Sequence, residues 1–190
     1  MEHQAQITGV GGIYAVLVAA SSRPRYAFLV LQLIAELADG RGQAGPFVSS
    51  DGKAGEGEAV LLRDWLCTQL LPISEQPARR AALRARVAAS LRDQLTGNRA
   101  IDEAAIDAAV EEQVLAVGRA NVSRATSDLV RAGLMTRHYA GYATNHKNRG
   151  GGRHVVYVVK PAVLRLLRRP AAAQGAALAQ VPRQGELFAA

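Results

Sequence analysis

Apolar residues recur at three- and four-residue intervals through most of the chain. After Leu134 they recur at every second residue. That change of period, from helical to extended, is the main organising signal. The run 13–20 (IYAVLVAA) is apolar throughout and fits a buried strand or a buried helix; it is read here as a strand. SSRP at 21–24 follows, with Ser22 suited to an N-cap and Pro24 to a first helical turn. A helix is expected from there to about Asp39, apolar over most of its circumference and therefore central. GRGQAG at 40–45 reads as a loop, 46–49 as a short strand and 51–58 as a flexible turn.

Helix is expected again from about Glu58 to just before Pro72, carrying Leu61, Leu62, Trp65, Leu66 and Leu70. Ser74 and Pro77 open the next, where Leu83, Val87, Leu91 and Leu95 repeat every four residues until Gly97 stops it. Arg79, Arg80, Arg84, Arg86 and Arg92 on its other faces read as a solvated surface. Asp102 and Glu103 begin a helix striped by Ile106, Val110, Val114 and Val117. A further helix covers 118–132, with Val122, Ala125, Leu129 and Ala132 on one side. Gly133 provides a left-handed stop, and Leu134 tucks back beneath it. Strands follow at 136–144 and 154–160 around a polar, glycine-rich turn; Pro161 starts a last short helix. The Ala/Gln-rich stretch 171–190 reads as a flexible tail.

Charge alters this picture, because it is unevenly placed. Residues 119–169 hold eleven Lys/Arg and one acid, Asp128; the rest holds twelve Lys/Arg and fifteen acids. A basic block on a slightly acidic body suits a polyanionic partner. Only three of the 23 basic residues are Lys, so the high isoelectric point partly reflects a compositional bias toward Arg and Ala. Cys67 is the sole cysteine, which excludes an internal disulfide or a cysteine-rich zinc site and fits a reducing cytoplasm. No cation precedes the first apolar run, as a secretory signal would require, and no run is long enough to span a membrane.

The helix at 118–132 carries the most specific chemistry. Opposite its apolar stripe stand Asn121, Arg124, Ser127 and Arg131, with Arg119 beside them. Arg and Asn read base edges in bidentate fashion. Ala120 and Ser123 are short and let a helix sink into a major groove. A helix start at 118–121 would also offer backbone N–H groups to a phosphate.

This stretch, GRANVSRATSDLVRAGLMTR, resembles the recognition helix of winged helix-turn-helix proteins, especially MarR-type and related bacterial regulators. Arg119, Val122, Ser123, Arg124, Leu129, Gly133 and Leu134 match the family pattern; Asn121 replaces the usual Thr and Gly118 a frequent Ser. The hairpin tipped by HKNRGGGR resembles the wing, and SSRPRYAFLVLQLIAELAD with PFVS resembles the first helix and strand. The resemblance implies a mostly α protein with a small β-hairpin: a winged helix-turn-helix domain over 1–170, with recognition helix and wing at 118–160. The 51–100 segment reads as a helical insertion. Where the family has a short helix with a Leu-Ala pair before the recognition helix, a long helix from Asp102 to Val117 takes that place without the pair.

The resemblance implies sequence-specific binding of double-stranded DNA by a cytoplasmic, nucleoid-associated bacterial regulator of transcription. It also implies a homodimer, with the helix around Trp65 or the C-terminal helix as candidate dimer surfaces. Arg137, Lys147, Arg149 and Arg153 in the hairpin are expected on phosphates or in a minor groove. A winged-helix module for protein contacts is the alternative. His138, His146 and His154 lack the further ligands a metal needs and read as hydrogen-bonding groups. No cofactor, membrane contact or catalytic constellation is expected; the acids at 102–112 suit a helix start and an exposed face.

Near the C-terminus, QGELF places Gln184, Leu187 and Phe188 as in the peptide that docks on the bacterial sliding clamp. Two large apolar residues on a polar tail need a docking surface, either a clamp or this chain's own core. Clamp docking would shift the role toward replication or repair, where some plasmid replication initiators combine winged helices with such a peptide.

Overall fold

The computed structural model describes residues 7–50, 57–74, 76–141 and 154–168. Packing centres on α2 (Pro24–Leu37), which touches α1 (Val10–Ala20), α5 (Arg99–Arg131) and α6 (Pro161–Leu167). Proline at the start of α2 presets φ where no N–H is needed. Ala27, Val30, Leu31, Ile34 and Ala35 are buried along it. Its last carbonyls meet the guanidinium of Arg168. Nε and Nη2 donate to the Ala35 oxygen at 3.1 and 2.8 Å, Nη1 to Asp39 at 3.4 Å, and Nη2 also to Ala38. A cation there satisfies orphan acceptors and opposes the helix dipole.

The run 13–20, expected as a strand, lies in helix α1. Ile13 and Leu17, one turn apart, are the residues it buries, and Tyr14 meets Phe28 of α2 edge-on at 6.4 Å. Leucine and three alanines favour helix once no ladder partner is offered.

Two small sheets accompany the helices. β1 (Gln43–Ala44), β5 (His154–Val159) and β4 (Met135–Ala140) form an antiparallel sheet in the order β1-β5-β4. β1 was expected as loop. The Asp39 carboxylate accepts from the amides of Arg41 and Gln43, both at 2.8 Å, and turns the chain out of α2 into this strand. β2 (Phe47–Ser49) falls where a strand is expected, but it pairs with β3 (Ala59–Leu61) in a separate hairpin. Residues 59–61 are therefore strand and not the start of a helix, their backbone groups being taken by β2.

α3 (Leu62–Ser74) begins only afterwards and continues through Pro72. The proline sits in the last turn, so the hydrogen bond it removes lies close to the end of the helix. Leu62, Trp65, Leu66, Cys67 and Leu70 join the main core. Trp65 is thus an internal residue, as are Val163 and Leu164 of α6, whereas Ile73 near the end of α3 is exposed.

α4 (Pro77–Ser90) ends earlier than Gly97, and a short 3-10 turn, Arg92–Gln94, follows. Leu83, Leu91 and Leu95 still pack around Val87, Ile106 and Val110 in a second, smaller cluster. The expected 51–100 insertion therefore divides: α3 belongs to the main core, whereas α4 rests on the first half of α5. Arg80 pairs with Glu111 and Arg84 with Asp107, so two of the α4 arginines and two of the acids are spent between helices.

The largest departure from expectation is α5, one continuous helix of 33 residues. It starts at Asn98, whose side chain accepts from the amides of Ala100 and Ile101, while Asp102 accepts from those of Thr96 and Gly97. No break occurs at Gly118. A Cβ there would lie 3.5 Å from the Cys67 sulfur, so this glycine marks the close approach of α5 to α3. The expected N–H donors at 118–121 are consumed inside the helix.

The exit is as expected. Gly133 has φ +68, its N–H reaches the Val130 carbonyl at 3.0 Å, and the Leu134 N–H reaches Leu129 at 3.1 Å. This is a Schellman closure with fully buried Leu134 as its apolar contact. Among the described residues no helix is long and apolar enough to cross a membrane. Lys147, Arg149, Arg153 and His146 in the hairpin tip, and Gln184, Leu187 and Phe188, lie outside the described residues.

Candidate nucleic-acid interface

The second half of α5 presents its faces to three different surroundings. Val122, Ala125, Thr126 and Leu129 are buried against the core. Thr126 donates to the Ser123 carbonyl at 3.1 Å and is also hydrogen-bonded to Tyr157 of β5, whose phenol burial pushes up in pKa. The opposite side, open to solvent, holds Ala120, Ser123, Arg124 and Arg131, with half-buried Ser127 between them. These five span about three turns, or roughly 18 Å at 1.5 Å per residue.

Arg124 makes no hydrogen bond or ion pair among the described residues, although it is exposed and central. Arg131 donates to Asp128 at 3.0 Å and to the Ala20 carbonyl at 3.3 Å. That pairing partly neutralises Asp128, the one acid in this half of the helix. Ser127 donates to the Ser123 carbonyl at 2.8 Å, so its hydroxyl lies flat on the helix. Arg137 on β4 reaches Ser127 at 3.5 Å and brings a further cation beside the strip.

Two of the expected site residues are turned away from the strip. Arg119 faces α3 and grips Asp64, with Nε to Oδ1 at 2.8 Å and Nη2 to Oδ2 at 3.2 Å. The guanidinium holds the Asp64 carboxyl below its usual range. Asn121 is half-buried beside the turn between α1 and α2, where its Oδ1 accepts from Arg23 at 3.1 Å. Helical geometry explains both, since each lies to one side of the row 120–124–127–131.

Residues the sequence reading passed over lie at the margins. Arg23 borders a hollow of about 260 Å³ shared with Ser22, Asn121, Arg124 and Arg131. The SSRPR run carries that cation next to its capping serine, which was the available signal. On the other flank, Arg63 begins α3 and lines a hollow of about 270 Å³ between α5 and the hairpin strands. Placing the helix start at 58 concealed Arg63. Arg79 of α4 borders a third hollow, about 360 Å³, that also includes Arg124.

The arrangement suits a polyanion better than chemistry on a small substrate. No group of three His, Cys, Asp or Glu among the described residues could hold a metal ion. His154 instead stacks edge-on with Phe47, ring centroids 5.0 Å apart. Cys67 is buried, and burial raises its thiol pKa. Comparison with protein-family models, curated proteins and solved structures finds no match to this chain.

Proposed function

We propose that this chain binds double-stranded DNA without catalysis, through the exposed strip of α5 and the β4–β5 hairpin, and that it regulates bacterial transcription. The observation that carries the reading is Arg124. It is an exposed guanidinium with no partner among the described residues, in a row of short side chains on one rigid helix, flanked by Arg131 and Arg137. Short neighbours let the helix approach base edges, and an uncommitted guanidinium suits the guanine edge in the major groove.

The order of elements supports a winged helix-turn-helix arrangement. α2 leads to β1, α3 crosses α5, and α5 exits through Gly133 into β4 and β5, with β1 closing the sheet on β5. In this reading α3 takes the place of the helix before the recognition helix, and the insertion is α4 with the first half of α5. Asn121 and Arg119 then act as supports that fix the helix on its neighbours.

Selection of bound fragments from random duplex DNA with the full chain tests this function. An enriched motif that weakens with Arg124→Ala supports a sequence-reading regulator. Recovery of unenriched DNA, or of none, contradicts it.

A further inference from the structure

The hollow between α5 and the hairpin holds more than a backbone-contacting surface requires. It measures about 270 Å³, close to the lower end of small-ligand sites, at about 300 Å³. Its lining contains two arginines, Arg63 and Arg137, and no acid. Asp64, next along α3, is held mainly by Arg119 at 2.8 Å and lies 3.6 Å from the Arg63 Nε. Hydroxyls of Ser123, Thr126, Ser127 and Tyr157 lie along the α5 and β5 walls. Burial pushes the Tyr157 phenol up in pKa.

Aromatic rings stand at the mouth. Tyr139 follows Arg137 on the same face of β4, opposite Val155, and is 58% exposed. Phe47 is 51% exposed and touches the His154 ring, itself part of the lining. Large aromatic side chains left half in water, next to arginines, are the parts of a base-stacking platform. A purely apolar ligand would bring no anion to a lining that holds two arginines and no acid. A paired base cannot reach a recess of this size without leaving its stack.

We infer that this hollow takes one unpaired nucleotide of the bound DNA, its base stacked on Tyr139 or Phe47 and its phosphate facing Arg63 and Arg137. The inference rests on the DNA-binding reading above and adds a substrate feature, a single unstacked nucleotide, to it.

The test compares the full chain on a fully paired duplex and on the same duplex with one extra unpaired 2-aminopurine. Stacking predicts roughly 10-fold tighter binding of the bulged duplex, with quenching of the 2-aminopurine fluorescence. Tyr139→Leu combined with Phe47→Leu should remove the preference and the quenching, while the melting temperature stays that of the wild-type chain. An unchanged melting temperature shows that the variant is folded. Equal affinity of the wild-type chain for both duplexes, or a preference that survives the double substitution, overturns the inference and leaves duplex binding standing. Failure to bind either duplex at low salt overturns both.

Discussion

Arg119 holds both carboxylate oxygens of Asp64, at 2.8 and 3.2 Å, and so ties the middle of α5 to the first turn of α3. The pair is half in water, so its contribution is modest, about 1 kcal/mol. Asp64→Asn is expected to lower the melting temperature by about 2–4 °C and to change duplex affinity little. The sign with pH follows from the Asp64 carboxyl being held below its ordinary value. Its stabilisation is present above the ordinary carboxylate range and is lost as pH falls through the folded-state value. Melting curves of the two proteins should therefore converge in acid. A difference that persists unchanged at low pH would remove the ion pair from the account.

Gly118 offers a second stability test. Its backbone is helical, and a Cβ would make ordinary contact with Cys67 at 3.5 Å. Gly118→Ala should be neutral or stabilise by up to about 1 kcal/mol, through helix propensity. Gly118→Leu should cost about 1–3 kcal/mol by pushing α5 off α3. Urea denaturation distinguishes the two; equal effects would mean that the helices are not closely packed there.

Within the basic block, Arg168 and Arg124 are expected to fail in opposite ways. Arg168→Ala removes the donors on the Ala35, Ala38 and Asp39 carbonyls and should cost about 1 kcal/mol of stability. Arg124→Ala should leave the melting temperature unchanged but weaken the preferred duplex by about 1–3 kcal/mol and relax base discrimination. Melting and binding measured on both variants check the assignment.

The tail carries its own test. If QGELF docks on a sliding clamp, removing residues 184–190 leaves melting and DNA affinity intact and abolishes clamp association. Leu187→Ala with Phe188→Ala should do the same. Lowered melting on truncation would place the two apolar residues on this chain's own core.

What could be read from sequence was local. Gly133 and Leu134 announce the helix exit because the closure uses only neighbouring carbonyls. The alternation at 154–159 announces a strand because it repeats over six residues. α1 was misread because its composition is apolar all round, although only Ile13 and Leu17 are its buried residues, and that hides the period. β1 is two residues long, too short for any period to show. Gly118 misled for a different reason. Glycine inside a helical pattern can mark an end or a close approach, and only the position of Cys67, 51 residues earlier in the numbering, decides which. The strip of Ala120, Ser123, Arg124, Ser127 and Arg131 was legible because it needs helical spacing alone. The diversion of Arg119 and Asn121 was not, since their partners, Asp64 and Arg23, come from other elements.

Duplex affinity measured against salt concentration tests the central claim most directly. Cations on α5 and the hairpin that displace counterions predict steep weakening, with log affinity falling by about 3 or more per log unit of salt. Arg137→Ala should reduce that slope by about 1. No binding at low salt, or an affinity that hardly changes with salt, would contradict the assignment of this surface to DNA.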